Sequence, residues 1–229
     1  MNIQEIALPV TEYINEVTQK SMIFLHHTAG GHRPDAVINS WKNDRDNNGN
    51  PIRVATSFVI GGISTTTNDT AYDGKIVRCF PESKWAYHLG IGGALLNKKS
   101  IGIELCNYGP LTFQPGRGFV NYVNTIVPEA QVIELPVPFR GYKYYHKYTN
   151  RQLDSLSQLL NQLCSLYSIN RNLGLKASLT ANAANPAIAF GVNPNALNAA
   201  SGIWTHTNVR QDKSDCSPQL PLISLLKSL

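Results

Sequence analysis

The sequence predicts an α/β fold, a mixed central β-sheet flanked by helices, forming a single domain over residues 1–229. Three features predict it. Short apolar runs bounded by polar residues recur at Met22–His26, Ser57–Ile60 and Ile101–Cys106, the pattern of buried strands. Apolar residues at helical spacing lie between and after them, most clearly Leu153, Leu156, Leu160, Leu163 and Tyr167. The two kinds of segment are joined by short connections, the order of a layered α/β domain. A chain of 229 residues can bury a full core.

Met22–His26 opens the pattern as a strand. Thr28–Pro34 then contains Gly30 and Gly31 and ends at a proline suited to a first helical turn, with Val37, Ile38 and Trp41 continuing the helix. Asn47–Pro51 breaks the chain, and Ser57–Ile60 is the second strand. Asp73 and Gly74 form a turn signal leading into an alternating strand, Lys75–Phe80, and Ile101–Cys106 follows as another. Residues 107–149, rich in Gly, Pro and Tyr, read as an insertion. Thr149 or Asn150 caps the long helix. Residues 179–200, dominated by Asn and Ala and interrupted by Pro186 and Pro194, read as a surface loop, and Leu220–Leu226 as a closing short helix.

The net charge of +5 favours approach to an anionic polymer without choosing among nucleic acid, membrane surface and cell-wall glycopolymer. Cys79, Cys106, Cys164 and Cys216 are too scattered for a disulfide scaffold and read as reduced, mostly buried thiols. No stretch approaches the ~20 apolar residues needed to span a bilayer, and the start lacks a signal-peptide pattern, so a cytoplasmic product without membrane insertion is expected. The run Phe139–Tyr148 interleaves aromatic and basic residues, but it holds too few cations for a nucleic-acid site. This insertion is expected instead to wall a groove or dock a partner protein.

Two distant segments carry metal-binding chemistry. His206 is followed nine residues later by Asp215, with Lys213 two residues before that carboxylate. His26 and His27 sit where a strand gives way to a Gly-rich loop; because neighbouring strand side chains point to opposite faces, only one of them can serve a given site. Convergence of the two segments would make a zinc site, with three protein ligands and a fourth position left for water. Read otherwise, Arg210, Asp212, Lys213 and Asp215 are a solvated charged turn. Glu104, within Ile101–Leu105, either faces solvent or is buried beside a partner, because an unpaired buried carboxylate is costly.

His26-His27-Thr28-Ala29-Gly30, the Ser100–Glu104 strand and His206 with Lys213-Ser214-Asp215 together resemble the zinc-dependent type-2 N-acetylmuramoyl-L-alanine amidases, which share the fold of phage T7 lysozyme and the peptidoglycan recognition proteins. Ser57–Ile60, Asp73–Val77 and Trp85–Gly90 support the resemblance, which covers roughly residues 21–107 and 150–229. It implies the amidase/peptidoglycan-recognition fold, a phage-type endolysin or virion lysin, and hydrolysis of the amide between N-acetylmuramic acid and L-alanine in peptidoglycan. It implies zinc on His26, His206 and Asp215, with Cys216 as the alternative third ligand; a lysine at position 213 goes with Asp215. Glu104 would be the general base and Lys213 the oxyanion stabiliser, with His88, Thr28 and Asn107 contacting substrate, although His88 reads equally well as structural. The tyrosine that T7-like members carry before the second strand is missing from Ala55–Phe58. A peptidoglycan-binding module without catalysis is the competing reading, and retention of all the candidate ligands argues against it.

Overall fold

The computed structural model describes residues 2–91 and 93–229. In chain order the strands are β1 (Ile3–Glu5), β2 (Met22–His27), β3 (Phe58–Ile60), β4 (Ile76–Arg78), β5 (Ser100–Leu105), β6 (Pro110–Gln114), β7 (Gly118–Val120), β8 (Ile126–Val127), β9 (Val132–Phe139), β10 (Tyr142–His146) and β11 (Gly202–Thr205). The helices are α1 (Pro34–Asn43), α2 (Leu95–Lys99), α3 (Asn150–Leu166), α4 (Leu175–Ala181), α5 (Pro194–Leu197) and α6 (Leu220–Ser228).

Six strands form the central sheet in the order β1-β4-β3-β5-β2-β11. Strands β3, β5, β2 and β11 run parallel, and β4 is antiparallel to β3, so the sheet is mixed. Parallel strands are usually covered on both faces, and this sheet follows that rule. Ile23, Leu25, Ile101, Ile103 and Ile203 point to one core, which includes the α3 leucines. Met22, Phe24 and Trp204 point the other way with Leu89, and Val59 and Val77 meet Ile38 of α1 on that same side. The alternation sends His26 and His27 to opposite sides of the sheet at the end of β2.

Helix α3 starts at a full capping box: Thr149 Oγ1 accepts from the Gln152 amide while Gln152 returns a bond to the Thr149 amide. The same Thr149 hydroxyl donates to Asp73 at 2.5 Å, and Gln152 Nε2 donates to the Cys106 carbonyl at 3.0 Å. The long helix is thus tied to the end of β5, next to the site described below. All four cysteines are buried free thiols.

One segment has a fold its composition did not announce, and one expectation differs. Residues 110–146 form a second sheet of five strands, β8-β7-β6-β10-β9, paired antiparallel. Its Leu135, Phe139 and Tyr145, with Tyr148, enter the main core, so the aromatic residues of the 139–148 run are largely structural, and Lys143 pairs with Glu134 at 2.7 Å. Its strand alternation was obscured by prolines and by a register shift between Tyr142 and Tyr144. Residues 179–200 are not a surface loop: α4 and α5 flank a 3-10 turn, Pro186–Phe190, and Leu179, Phe190 and Ala196 are buried. The prolines there start helical turns, where the missing N–H costs nothing. Among the described residues no helix is long and apolar enough to cross a membrane.

Candidate metal centre

The C-terminal ends of parallel strands β2, β5 and β11 converge at one edge of the sheet, where open α/β folds place ligands. His26 is the penultimate residue of β2 and stands in register with Glu104 of β5. His206 follows the last residue of β11 and begins a 3-10 turn. That turn is fixed by its own capping box: Asn208 Oδ1 accepts from the Thr205 amide at 2.9 Å, and Asn208 Nδ2 donates to the carbonyls of Ala189 and Gly191. The Thr207 amide donates to the Asp215 carbonyl at 3.1 Å, which folds the 206–215 loop back on itself. Arg210 reinforces it with a two-pronged pair to Asp212 and a bond to the Gly90 carbonyl.

The result is a compact cluster. His26 Nδ1 and His206 Nδ1 lie 3.1 Å apart, and Asp215 Oδ2 lies 3.1 and 3.0 Å from them. All three residues are buried, and they are the group among the described residues with metal-ligand atoms within 4.8 Å of one another.

The outer nitrogens of both rings are fixed. His206 Nε2 sits 2.9 Å from the Leu89 carbonyl, which can only accept, so that nitrogen carries the hydrogen. Ser100 Oγ donates to the Leu96 carbonyl at 2.6 Å and accepts from His88 Nε2 at 2.9 Å, and His88 Nδ1 accepts from His26 Nε2 at 2.9 Å. Burial lowers the pKa of His26 to about 4, with the Asp215 carboxylate opposing, and pushes that of His88 well below the usual range. The His26 and His88 rings are therefore neutral, and His26 Nδ1 presents a bare lone pair. With His206 Nδ1 and a carboxylate oxygen, three acceptors face one another. This donor set fits a divalent zinc-like ion, which binds imidazole nitrogen at ~2.0–2.1 Å and carboxylate oxygen at ~2.0–2.2 Å.

His88 thus has both ring nitrogens occupied and buttresses His26 from behind. Asn107 is also committed: its Nδ2 donates to the carbonyls of His146 and Lys147, its Oδ1 accepts from Gly109, and it is buried. Both side chains hold the walls of the site. Thr28 Oγ1 accepts from the Gly30 and Asn107 amides and braces the loop after β2, and it remains half-buried at a cavity edge.

Cys216 lies outside the cluster. It is fully buried in the main core, burial pushes its thiol well up, and the Tyr148 hydroxyl lies against it. His27 joins that side: its Nδ1 is 3.2 Å from Tyr148 Oη. A Cβ at Gly109 would come within 2.3 Å of the His27 ring, so the glycine is what lets the second sheet approach.

Glu104 is half-buried rather than solvated, and its Oε2 is enclosed with no hydrogen-bond partner. Burial raises its pKa well above the carboxylate range; Asp215 adds to the shift and the nearby Lys213 charge opposes it. A carboxyl with a spare oxygen beside a ligand cluster is equipped to exchange a proton there.

Sequence reasoning missed Ser100 and Asn208. Neither residue type signals such a role, because each acts only by touching something distant in sequence. Ser100→Ala is expected to weaken zinc affinity about 10–100-fold by freeing the His88–His26 pair, as competition against a chromophoric chelator would measure.

The family model for N-acetylmuramoyl-L-alanine amidase, Amidase_2, matches residues 16–218. The chain belongs to this family. It is an N-acetylmuramoyl-L-alanine amidase, an enzyme that cuts the amide joining N-acetylmuramic acid to L-alanine. Its fold is similar to that of PlyL (TM-score 0.52, 13% identity, 99% of this chain and 98% of that one) and of a mutant endolysin from Bacillus subtilis (0.52, 16%, 99% and 97%). It is also similar to the catalytic domain of XlyA (0.50, 15%, 100% and 98%). No curated protein matches the sequence.

Proposed function

We propose that the chain is a zinc-dependent amidase that lyses peptidoglycan as a phage-type endolysin, with zinc held by His26, His206 and Asp215. The observation that carries this reading is the meeting of two outward-tied imidazoles and a carboxylate at 3.0–3.1 Å, with an unpartnered Glu104 oxygen beside them. The ion, when bound, supplies Lewis acidity toward the amide carbonyl and makes water more acidic. Glu104 is the general base, taking a proton from the attacking water and passing it to the departing amine of L-alanine. Its raised pKa suits this return step, and the nearby Lys213 charge opposes the shift. Lys213 stabilises negative charge as it develops on the carbonyl oxygen. His88, Ser100 and the Leu89 carbonyl hold the two ligand rings in one tautomer and orientation. The fold likeness to PlyL and to an endolysin supports the setting.

The test is digestion of purified sacculi by chelated and by zinc-reloaded protein, with products read by mass. Chelation is expected to abolish release of peptides beginning with free L-alanine, and about one equivalent of zinc to restore it. Full cleavage by metal-free protein would refute the proposal.

A further inference from the structure

The second sheet meets the loop after β2 across a trough of about 400 Å³, within the ~300–1,000 Å³ of small-molecule sites. Ser214, which lies between Lys213 and Asp215, lines the trough, and so does His27, whose side chain leaves β2 on the side opposite to that of His26. Tyr108, Tyr122 and Tyr142 supply aromatic surface, and Gln114 and Asn121 supply amides. Its lining contains no Asp, Glu, Lys or Arg.

Asn121 adds a separate observation. It is 4% exposed; its Oδ1 accepts from the Val123 and Thr125 amides, yet its Nδ2 is enclosed without a partner. An unpaired buried amide donor is costly, and Asn121 lines the trough. On the far side of Ala29 and Tyr122, which line both hollows, a second cavity carries the ionisable groups His32 and Arg33. The Tyr122 hydroxyl donates to the Ala29 carbonyl at 2.8 Å and divides the two.

We propose that this trough binds a neutral N-acetylated sugar ring of the glycan strand, next to the muramoyl residue whose amide is cut. The inference rests on the amidase reading above. Aromatic faces pack on the apolar face of a sugar ring, while amides and hydroxyls pair with its hydroxyl and acetamido groups. A stem peptide carries ionised carboxylates and an amine, and the trough offers neither a counter-charge. The second sheet then extends the substrate site along the glycan.

The test compares wild type, Tyr142→Ala and Gln114→Ala on two substrates. One is a glycan of several disaccharides bearing stem peptides; the other is a single muramoyl peptide with the same stem. The ratio of kcat/KM, glycan over single sugar, is expected to fall about three- to tenfold in each variant, the size of one lost aromatic or hydrogen-bond contact. Wild type is also expected to bind a peptide-free N-acetylglucosamine tetramer saturably, and Tyr142→Ala to bind it more weakly. An unchanged ratio, or no tetramer binding by wild type, overturns the inference. So does a loss that follows the length of the stem peptide, because the trough would then hold peptide. Failure of wild type to cleave either substrate would instead reject the amidase reading itself.

Discussion

Glu104→Gln is expected to lower kcat about 10²–10⁴-fold while leaving zinc content at one per chain. The amide keeps the size of the carboxyl but cannot accept a proton. Because Glu104 is half-buried with one enclosed, unpartnered oxygen, the substitution strands no charge, and the fold should tolerate it. KM should change little, because the lost interaction belongs to proton transfer rather than to substrate binding. Steady-state kinetics with parallel metal analysis check this, and undiminished kcat with intact zinc would remove Glu104 from the mechanism.

The second large effect separates Asp215 from its neighbour. Asp215→Ala leaves two imidazole nitrogens with no anionic partner and is expected to lose zinc and cleavage together, by more than about 10³-fold. Cys216→Ala is expected to keep both. The Cys216 thiol is fully buried among core side chains on the Tyr148 side, so its truncation should lower stability by about 1–2 kcal/mol, the cost of a small cavity. Urea unfolding read beside zinc content tests the pair; zinc loss in Cys216→Ala with Asp215→Ala unaffected would reverse the assignment.

Much of this architecture was legible beforehand because its signals are local. Strands β2 and β5 and the leucine stripe of α3 announce themselves through their hydrophobic pattern, and Thr149 was one of two cap candidates before α3. The His26–His206–Asp215 cluster was legible because such residue types are rare enough for a spaced His and Asp to stand out against their surroundings. The second sheet was not: its strands are short, Pro110, Pro136 and Pro138 interrupt them, and β10 carries a shifted register against β9. Residues 179–200 misled for a similar reason, since Ala and Asn say little until Phe190 and Ala196 are seen in the core. His88 was read as a substrate contact or as structural and Asn107 as a substrate contact, and in the structure their polar atoms engage His26, Ser100 and the backbone near His146. Whether a polar atom is free or already engaged is decided by tertiary contacts, which no spacing reveals.

X-ray absorption at the zinc edge of the reconstituted protein examines the ligand set itself. The account predicts a first shell made only of nitrogen and oxygen at ~2.0–2.2 Å, with the outer-ring scattering of two imidazoles. A sulfur shell at ~2.3 Å, or the scattering of fewer than two imidazoles, would contradict it.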